Sequence, residues 1–157
     1  MGIAVGEGDS FLEREIIRIG KAEIDFWYNL KSTNTFPPIL MIHGLFGGGW
    51  YFENWARFLC DKGFAVYIIN DLHEGEDLRK VDFFTYLEKS TKVAEKICAT
   101  RKNKIILIGH SMGGLIVQKI AETNADLVAS LVLFASAPPK GIYSMSWSVA
   151  KAMAKHI

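Results

Sequence analysis

The sequence predicts an α/β fold: a mostly parallel sheet with helices on both faces, starting with an antiparallel hairpin. Short runs that are apolar on both faces, such as residues 39–42 and 105–108, alternate with helical patterns of ten or more residues. Ahead of them, residues 11–30 predict two strands around Gly20-Lys21, with β-branched and aromatic residues loosely alternating with charged ones. Alternating strands and helices are typical of a parallel sheet, and we expect the hairpin at its edge.

The first half of the alternating region predicts two strands and one helix. After the turn-rich stretch STNTFPP, the strand at 39–42 leads into a glycine-rich loop. Residues 50–62 predict a helix that stops at Gly63, a residue typical of helix C-termini. Residues 64–69 follow as a second buried strand. The apolar positions of the helix are Phe52, Trp55, Phe58 and Leu59.

The second half continues the same alternation after a polar loop at 70–80. A long helix is predicted at 81–100, with one side formed by Phe84, Leu87, Thr91, Ala94 and Cys98. The remaining elements are a strand at 105–108, a helix at 112–123, a strand at 131–134 and an amphipathic stretch at 143–157. Without a linker or repeat, residues 1–157 are expected to form a single domain.

Composition excludes several classes of function. The 157 residues carry 18 Lys and Arg against 17 Asp and Glu, a net charge of +1 without a basic run, so no nucleic-acid partner is predicted. Cys60 and Cys98 lack the spacing of a disulfide framework or a metal site, and both are predicted to be buried small side chains in a reducing compartment. No metal and no cofactor is predicted, because no ligand cluster and no phosphate-binding glycine motif is present.

The amino-terminal stretch MGIAVGEGDSFLERE has neither the basic start nor the apolar core of a secretory signal, and Gly6 stands where a myristoylation motif requires Ser or Thr. No segment reaches the roughly 18 uninterrupted apolar residues of a membrane span. A cytoplasmic protein without a transmembrane segment is therefore expected.

The most specific motif is Gly109-His110-Ser111-Met112-Gly113, which matches G-x-S-x-G between a predicted strand and a predicted helix. Such a motif holds a nucleophilic serine on a strained turn, and the small flanking residues let strand and helix approach closely. The alternative is a tight turn with an incidental serine. We expect Ser111 to be a nucleophile.

A serine that attacks a carbonyl also needs donors for the developing oxyanion, usually the N–H of the next residue and one from a second loop. Met112 supplies the first. The second is expected from the loop HGLFGGG that follows strand 39–42, with the backbone of Leu45 favoured and Phe46 as second choice. For the side chain of His43, an ordinary role at the start of a glycine-rich turn is favoured.

The motifs HGLFGGGW and GHSMGG, joined by an alternating β/α order, resemble the α/β-hydrolase family from about residue 11 onward. The resemblance implies an esterase, lipase or acyl hydrolase with Ser111 as nucleophile and Met112 and Leu45 as oxyanion donors, supported by glycines 44, 109 and 113. Many members carry Asp-x-Arg-Gly where this chain has Asp71-Leu72-His73-Glu74, so Asp71 is interpreted as structural.

The family's order of serine, acid and histidine leaves few candidates after Ser111. Glu122 is predicted in the helix after the elbow, and Asp126 at the end of the sheet opposite the site. His156 is the only later histidine, and a solvated histidine is its alternative role. His110 should point away from Ser111, and His43 and His73 break the order. The triad acid and base are therefore not identified.

The resemblance implies two further strands after 131–134, so the chain is interpreted as the amino-terminal part of a hydrolase. Without those strands, we expect an open apolar edge that favours aggregation or self-association. The stripe in 140–157 formed by Ile142, Met145, Val149, Met153 and Ile157 predicts either the start of a lid or a core-covering helix.

Two classes of function remain open from the sequence. The first is hydrolysis of an ester, thioester or amide through an acyl-Ser111 intermediate, on a substrate whose acyl or aromatic part is apolar, as Phe46, Trp50 and Met145 suggest. Acyl transfer or lyase chemistry on the same scaffold is not distinguished from it. The second is a truncated or degenerate, non-catalytic protein that binds a ligand, or a subunit completed by another chain.

Overall fold

The computed structural model describes residues 11–33, 35–45, 47–71 and 82–139, with Asp71 described by its backbone alone. Six strands form one sheet in the order β1-β2-β4-β3-β5-β6. The first two pairs, β1 with β2 and β2 with β4, are antiparallel, and the remaining three pairs are parallel. The strands are β1 (Leu12–Ile19), β2 (Ala22–Asn29), β3 (Ile39–Ile42), β4 (Val66–Asp71), β5 (Ile105–His110) and β6 (Val128–Phe134).

In the described ranges, three α-helices and two 3₁₀ turns connect the strands. The helices are α1 (Glu53–Asp61), α2 (Phe83–Arg101) and α3 (Met112–Thr123), and the 3₁₀ turns are Gly49–Phe52 and Ala125–Leu127. Buried residues of α2 and α3 join one apolar cluster with the sheet, whereas Phe52, Ala56 and Cys60 join a second cluster. Helices therefore cover both sides of the sheet, and the predicted α/β class with its antiparallel start is confirmed.

The central strands are buried because they are apolar on both faces. All four residues of β3 are buried, and Val66, Ile68 and Ile69 of β4 are fully buried. The hairpin turns at Gly20, whose φ of 61° lies in the left-handed region that favours glycine. The predicted hairpin, strand β3 and helix α3 agree with the structure.

Several predicted strands differ from the observed ones at their ends, mainly because polar residues were assigned to loops. Strand β4 begins at Val66, two residues after the predicted start, and continues through Asn70 to Asp71, while β5 continues through Gly109 to His110. Strand β6 begins at Val128, earlier than predicted, because Ser130 pairs with Ile106 in the parallel ladder. Polar residues at the carboxyl ends of buried strands are thus part of the sheet here.

The predicted helix faces also need correction. In α2 the buried positions are Tyr86, Ser90, Val93, Ala94 and Ile97, and the predicted Phe84 is exposed. In α1 the predicted Trp55 and Phe58 are exposed, while Ala56 and Cys60 face the sheet. Small side chains fit close to the sheet, whereas Trp55 and Phe58 line an open cavity beside Ile108 of β5.

Strand β6 is the outer strand at one end of the described sheet. Although its sequence is VASLVLF, only Val128 is partly buried and the six residues after it are exposed. The expected open apolar edge is therefore present among the described strands. Within the described part of the chain, no helix has both the length and the apolar character to cross a membrane.

Candidate active site

Ser111 occupies the turn between β5, which ends at His110, and α3, which begins at Met112. Its backbone has φ 52° and ψ −119°, a conformation that non-glycine residues rarely adopt. The strained turn directs the serine away from the line of the strand at the carboxyl end of the parallel strands, where such sheets place their sites. The side chain is partly accessible.

Two glycines let β5 and α3 approach each other. A Cβ on Gly109 would overlap the Gly113 carbonyl and lie 2.5 Å from Val117 Cγ2, and a Cβ on Gly113 would overlap the Ile42 carbonyl. Real Cβ atoms do not make such contacts, so glycine is required at both positions. The first turn of α3 can therefore lie against the end of β3, beside which the second loop begins.

The second loop touches the serine through Gly44. A Cβ on Gly44 would lie 2.9 Å from Ser111 Cβ and 3.3 Å from its Oγ. His43 is buried, and its Nδ1 donates a 2.6 Å hydrogen bond to the Gly44 carbonyl, which can only accept. A turn closed by Gly47 N–H and the Gly44 carbonyl, at 3.0 Å, follows. His43 thus shapes the loop that faces Ser111.

The two residues expected to donate to an oxyanion belong to the two segments that meet at the serine. Met112 is the first residue of α3, so its N–H has no acceptor inside the helix. Leu45 is an exposed residue inside the Gly44–Gly47 turn. Phe46, the second choice, lies outside the described residues.

A cavity of about 210 Å³ opens beside Ser111. Its walls are Gly44, Gly47, Trp50, Tyr51, His110 and Ser111. Trp50 is 70% exposed, and Tyr51 stacks on the His110 ring with centroids 4.7 Å apart. The His110 ring also contacts the Phe134 ring, with centroids 5.5 Å apart. Three of the six lining residues, Trp50, Tyr51 and His110, have aromatic rings.

The segment after β6 is also bonded to the elbow. Ser111 N–H donates to the Phe134 carbonyl at 3.3 Å, and Ala137 N–H donates to the Ser111 carbonyl at 2.9 Å. Gln118 Nε2 donates to Ser136 Oγ at 3.1 Å. These bonds hold the backbone of Ser111 from the β6 side while Gly44 contacts it from the β3 side.

Neither predicted acid among the described residues lies beside Ser111. Glu122 lies near the end of α3 in an exposed ion pair with Lys119 at 2.9 Å, and Asp126 is exposed in the 3₁₀ turn before β6. His156, the lid stretch 140–157 and His73 lie outside the described residues. Asp71 is the last residue of β4, where its backbone pairs with Glu23.

Sequence reasoning missed Tyr51, Asp25 and Asn70. Tyr51 is part of the apolar segment assigned to a helix, and only the 3₁₀ turn before α1 aims it at His110. Asp25 is a charged residue in an alternating strand, a pattern that predicts exposure, yet it is only 2% exposed. Its two partners come from other strands, so no local pattern could have identified them.

Comparisons with known proteins agree with this architecture. A family model described as the alpha/beta hydrolase fold matches residues 37–155. An sn-1-specific diacylglycerol lipase of Xenopus laevis is 31% identical over 110 residues, which cover 69% of this chain and 35% of the relative. A triacylglycerol lipase of Vibrio cholerae is 32% identical over 104 residues, covering 63% of this chain and 32% of the relative. The chain spans about a third of the length of these curated relatives.

A solved structure of a membrane phospholipase A, described as a bacterial virulence factor, has a TM-score of 0.70 at 21% identity. The match covers 96% of this chain and 47% of that one. At this identity the likeness shows the fold alone.

Proposed function

The chain belongs to the α/β-hydrolase family, and from this premise we propose that it carries the nucleophile of a serine hydrolase that cleaves an ester, thioester or amide. The observation that carries the proposal is the conformation of Ser111, which has φ 52° between β5 and α3 and faces Gly44 of a second loop. Strain of this kind persists where the surrounding structure maintains it, and it is frequent at functional sites.

In the proposed reaction, Ser111 Oγ attacks the carbonyl carbon while a general base takes its proton. The carbonyl oxygen gains the negative charge, which the N–H groups of Met112 and Leu45 stabilise. The bond to the leaving group then breaks, the leaving group takes the proton, and an acyl-Ser111 ester remains. Water, activated by the same base, hydrolyses this ester and frees Ser111.

The base and the acid that orients it come, in this proposal, from outside the described residues. Glu122 and Asp126, the carboxylates that follow Ser111 in the described residues, are exposed at other places in the fold. His156 is the one histidine after Ser111 in this sequence. No cofactor is part of the proposal.

The proposed substrate has an apolar acyl or aromatic part. Support comes from the cavity beside Ser111, whose side-chain walls include Trp50, Tyr51 and His110, since aromatic faces bind apolar groups. The curated relatives named above are lipases. The cytoplasmic location predicted from the sequence stays a prediction, with two free cysteines, Cys60 and Cys98, in its favour.

A serine-directed fluorophosphonate probe tests the proposal on the full-length protein. Labelling is expected for the wild type and for the control Ser130→Ala, which removes an exposed serine of β6, and is expected to be lost in Ser111→Ala. Equal labelling of Ser111→Ala, or no labelling of the wild type, would overturn it. The rates at which p-nitrophenyl esters of different acyl chain length are hydrolysed then test whether the substrate has an apolar acyl part.

A second candidate is a non-catalytic hydrolase-like protein or a subunit completed by another chain. The exposed apolar strand β6 favours it, because native proteins usually cover such an apolar edge with a helix, a loop or another chain. It predicts no ester hydrolysis by this chain alone and an association that protects β6 from hydrogen exchange. Turnover by the isolated, monomeric chain would exclude it.

A further inference from the structure

Asp25 is a buried carboxylate at a distance in sequence from every residue of the candidate site. It lies in β2 and is 2% exposed. Arg14 Nη2 of β1 donates to its Oδ2 at 2.7 Å, and Asn70 Nδ2 of β4 donates to its Oδ1 at 2.7 Å. One oxygen therefore binds the outer strand of the hairpin, and the other binds the end of a central strand.

Asn70 reaches Asp25 because it occupies a β-bulge. In the antiparallel ladder Ile24 pairs with Ile69 and Glu23 pairs with Asp71, so Asn70 is the extra residue of β4. A bulge interrupts the ladder and re-aims the side chain of the extra residue, and bulges are frequent beside active sites. Here the amide is aimed along the end of the sheet toward the loop after β3.

The other end of the Asn70 amide lies against Gly49. A Cβ on Gly49 would overlap Asn70 Oδ1 and lie 3.3 Å from Asn70 Cα, so the Gly49 backbone packs directly on this side chain. Because Nδ2 donates to Asp25, the oxygen is the atom that faces Gly49. Asp25 thus fixes which way the amide points.

Gly49 begins the 3₁₀ turn that supplies two walls of the serine cavity. Trp50 and Tyr51 follow it directly, and Tyr51 stacks on His110, the residue before Ser111. Contacts therefore run without a gap from Asp25 through Asn70 and Gly49 to the aromatic wall beside the serine.

We propose that Asp25 and Asn70 are positioning residues, which set the place of the Trp50–Tyr51 wall relative to Ser111 and so determine how the acyl part of the substrate fits. This inference rests on the proposed function. Neither residue touches the reacting atoms. The competing role is an ordinary buried ion pair that only joins the hairpin to the sheet, for which Arg14 matters as much as Asn70.

Three variants separate these roles. Asn70→Ala removes the contact with Gly49 and leaves the Arg14–Asp25 pair intact. Asp25→Asn keeps an oxygen that accepts from Asn70 but leaves Arg14 without its carboxylate. It is therefore expected to lower the stability of the protein while the 3₁₀ turn that carries Trp50 and Tyr51 stays in place. Asn29→Ala is the matched control, since Asn29 Oδ1 accepts from Lys31 N–H in the exposed turn that follows β2.

The readout is independent of catalysis. The protein is labelled with 5-fluorotryptophan, and the ¹⁹F resonance of Trp50 is assigned with Trp50→Phe. A shift or broadening of this resonance is expected in Asn70→Ala, and near wild-type values are expected in Asp25→Asn and Asn29→Ala. An unmoved Trp50 resonance in Asn70→Ala, or shifts that simply follow the loss of stability across the three variants, would overturn the inference.

A kinetic measurement tests the consequence for the substrate. Phosphonates with short and long alkyl groups are reacted with Ser111, and Asn70→Ala is expected to slow the long probe about tenfold or more relative to the short one. An equal effect on both probes contradicts the inference. If neither probe labels the wild type, the proposed function fails, while the Trp50 resonance still decides the positioning role.

Discussion

Gly44 packs directly against Ser111, so closely that a Cβ on Gly44 would lie 2.9 Å from Ser111 Cβ. The two residues come from different loops, one after β3 and one after β5, which are neighbours in the parallel sheet. Their contact brings the turn that contains Leu45 next to the serine. The requirement for glycine at position 44 is therefore set by the residue that faces it.

Gly44→Ala is expected to destabilise the protein by about 1–3 kcal/mol, the usual cost of an inserted methyl group in a packed site. Urea unfolding measures the loss. In a Ser111→Gly background the Cβ and Oγ that cause the overlap are absent, so the cost is expected to fall well below that value. An equal loss in both backgrounds would show that some other contact excludes alanine.

Ser111→Gly is expected to make the protein more stable by about 1–2 kcal/mol, because a non-glycine residue at positive φ carries strain of this order. Ser111→Ala is the matched control, since alanine also lacks the hydroxyl but keeps the Cβ that causes the strain. The difference in free energy of unfolding between the two variants isolates the backbone term. If Ser111→Gly is no more stable than Ser111→Ala, the prediction that the backbone at position 111 is strained is wrong.

The two cysteines are expected to differ in reactivity. Burial raises the pKa of the Cys60 thiol to about 12, partly opposed by a hydrogen bond from the Val66 backbone, and burial also raises the pKa of the half-buried Cys98. The thiolate is the reactive form. Iodoacetamide at pH 8 should therefore modify Cys98 before Cys60 in the folded protein, and both at similar rates in urea, as peptide mass spectrometry can measure. Equal rates of modification of Cys60 and Cys98 in the folded protein would contradict the predicted difference in reactivity.

Asp82 caps α2 and makes the stability of the protein depend on pH. Its Oδ1 accepts from Thr85 N–H at 2.8 Å, and this bond is the main cause that lowers the pKa of the carboxyl below the ordinary value of about 3.9. A lowered pKa in the folded state gives stability that is present above the ordinary pKa and is lost as the pH falls through the lowered one.

Asp82→Ala should therefore lower the melting temperature clearly at pH 7 and progressively less as the pH falls below about 4. Asp82→Asn is the control, because asparagine also caps helices but does not titrate in this range. A difference from wild type that is the same at pH 7 and pH 3 would exclude the charged cap as its source.

The sequence predicts those parts of the site that depend on residues close together in the chain, and it fails where distant residues meet. The turn at Ser111 follows from Gly109 and Gly113, which are close in sequence, so its place between strand and helix could be predicted. The buried side of α2 could not, because Tyr86 and Ser90 are polar enough to be assigned to the surface, while Phe84 is apolar yet exposed.

The relation between Asp25, Asn70 and Gly49 lay beyond sequence reasoning for a different reason. It depends on a bulge in β4 that changes the register by one residue, and local patterns do not reveal such a bulge. The sequence instead predicted that Asn70 begins a loop. Asp25 was unremarkable as one charged residue of an alternating strand, and only the packed sheet shows that its carboxylate is buried.

Strand β6 is expected to cause self-association of this chain. Its residues Leu131, Val132, Leu133 and Phe134 are all more than a third exposed, and Phe134 contacts the exposed Trp55 of α1 at 5.2 Å, so the apolar surface continues onto the helix. Unpaired, apolar strand edges pair readily with other chains, and a charged side chain on the edge opposes this.

Leu133→Lys should therefore raise the protein concentration at which oligomers form, as light scattering after size-exclusion chromatography can measure. Ile16→Lys is the matched control, because Ile16 is an exposed apolar residue of β1, the strand at the opposite edge of the sheet. A wild type that stays monomeric at high concentration, or an equal effect of both lysines, would rule out β6 as the associating edge.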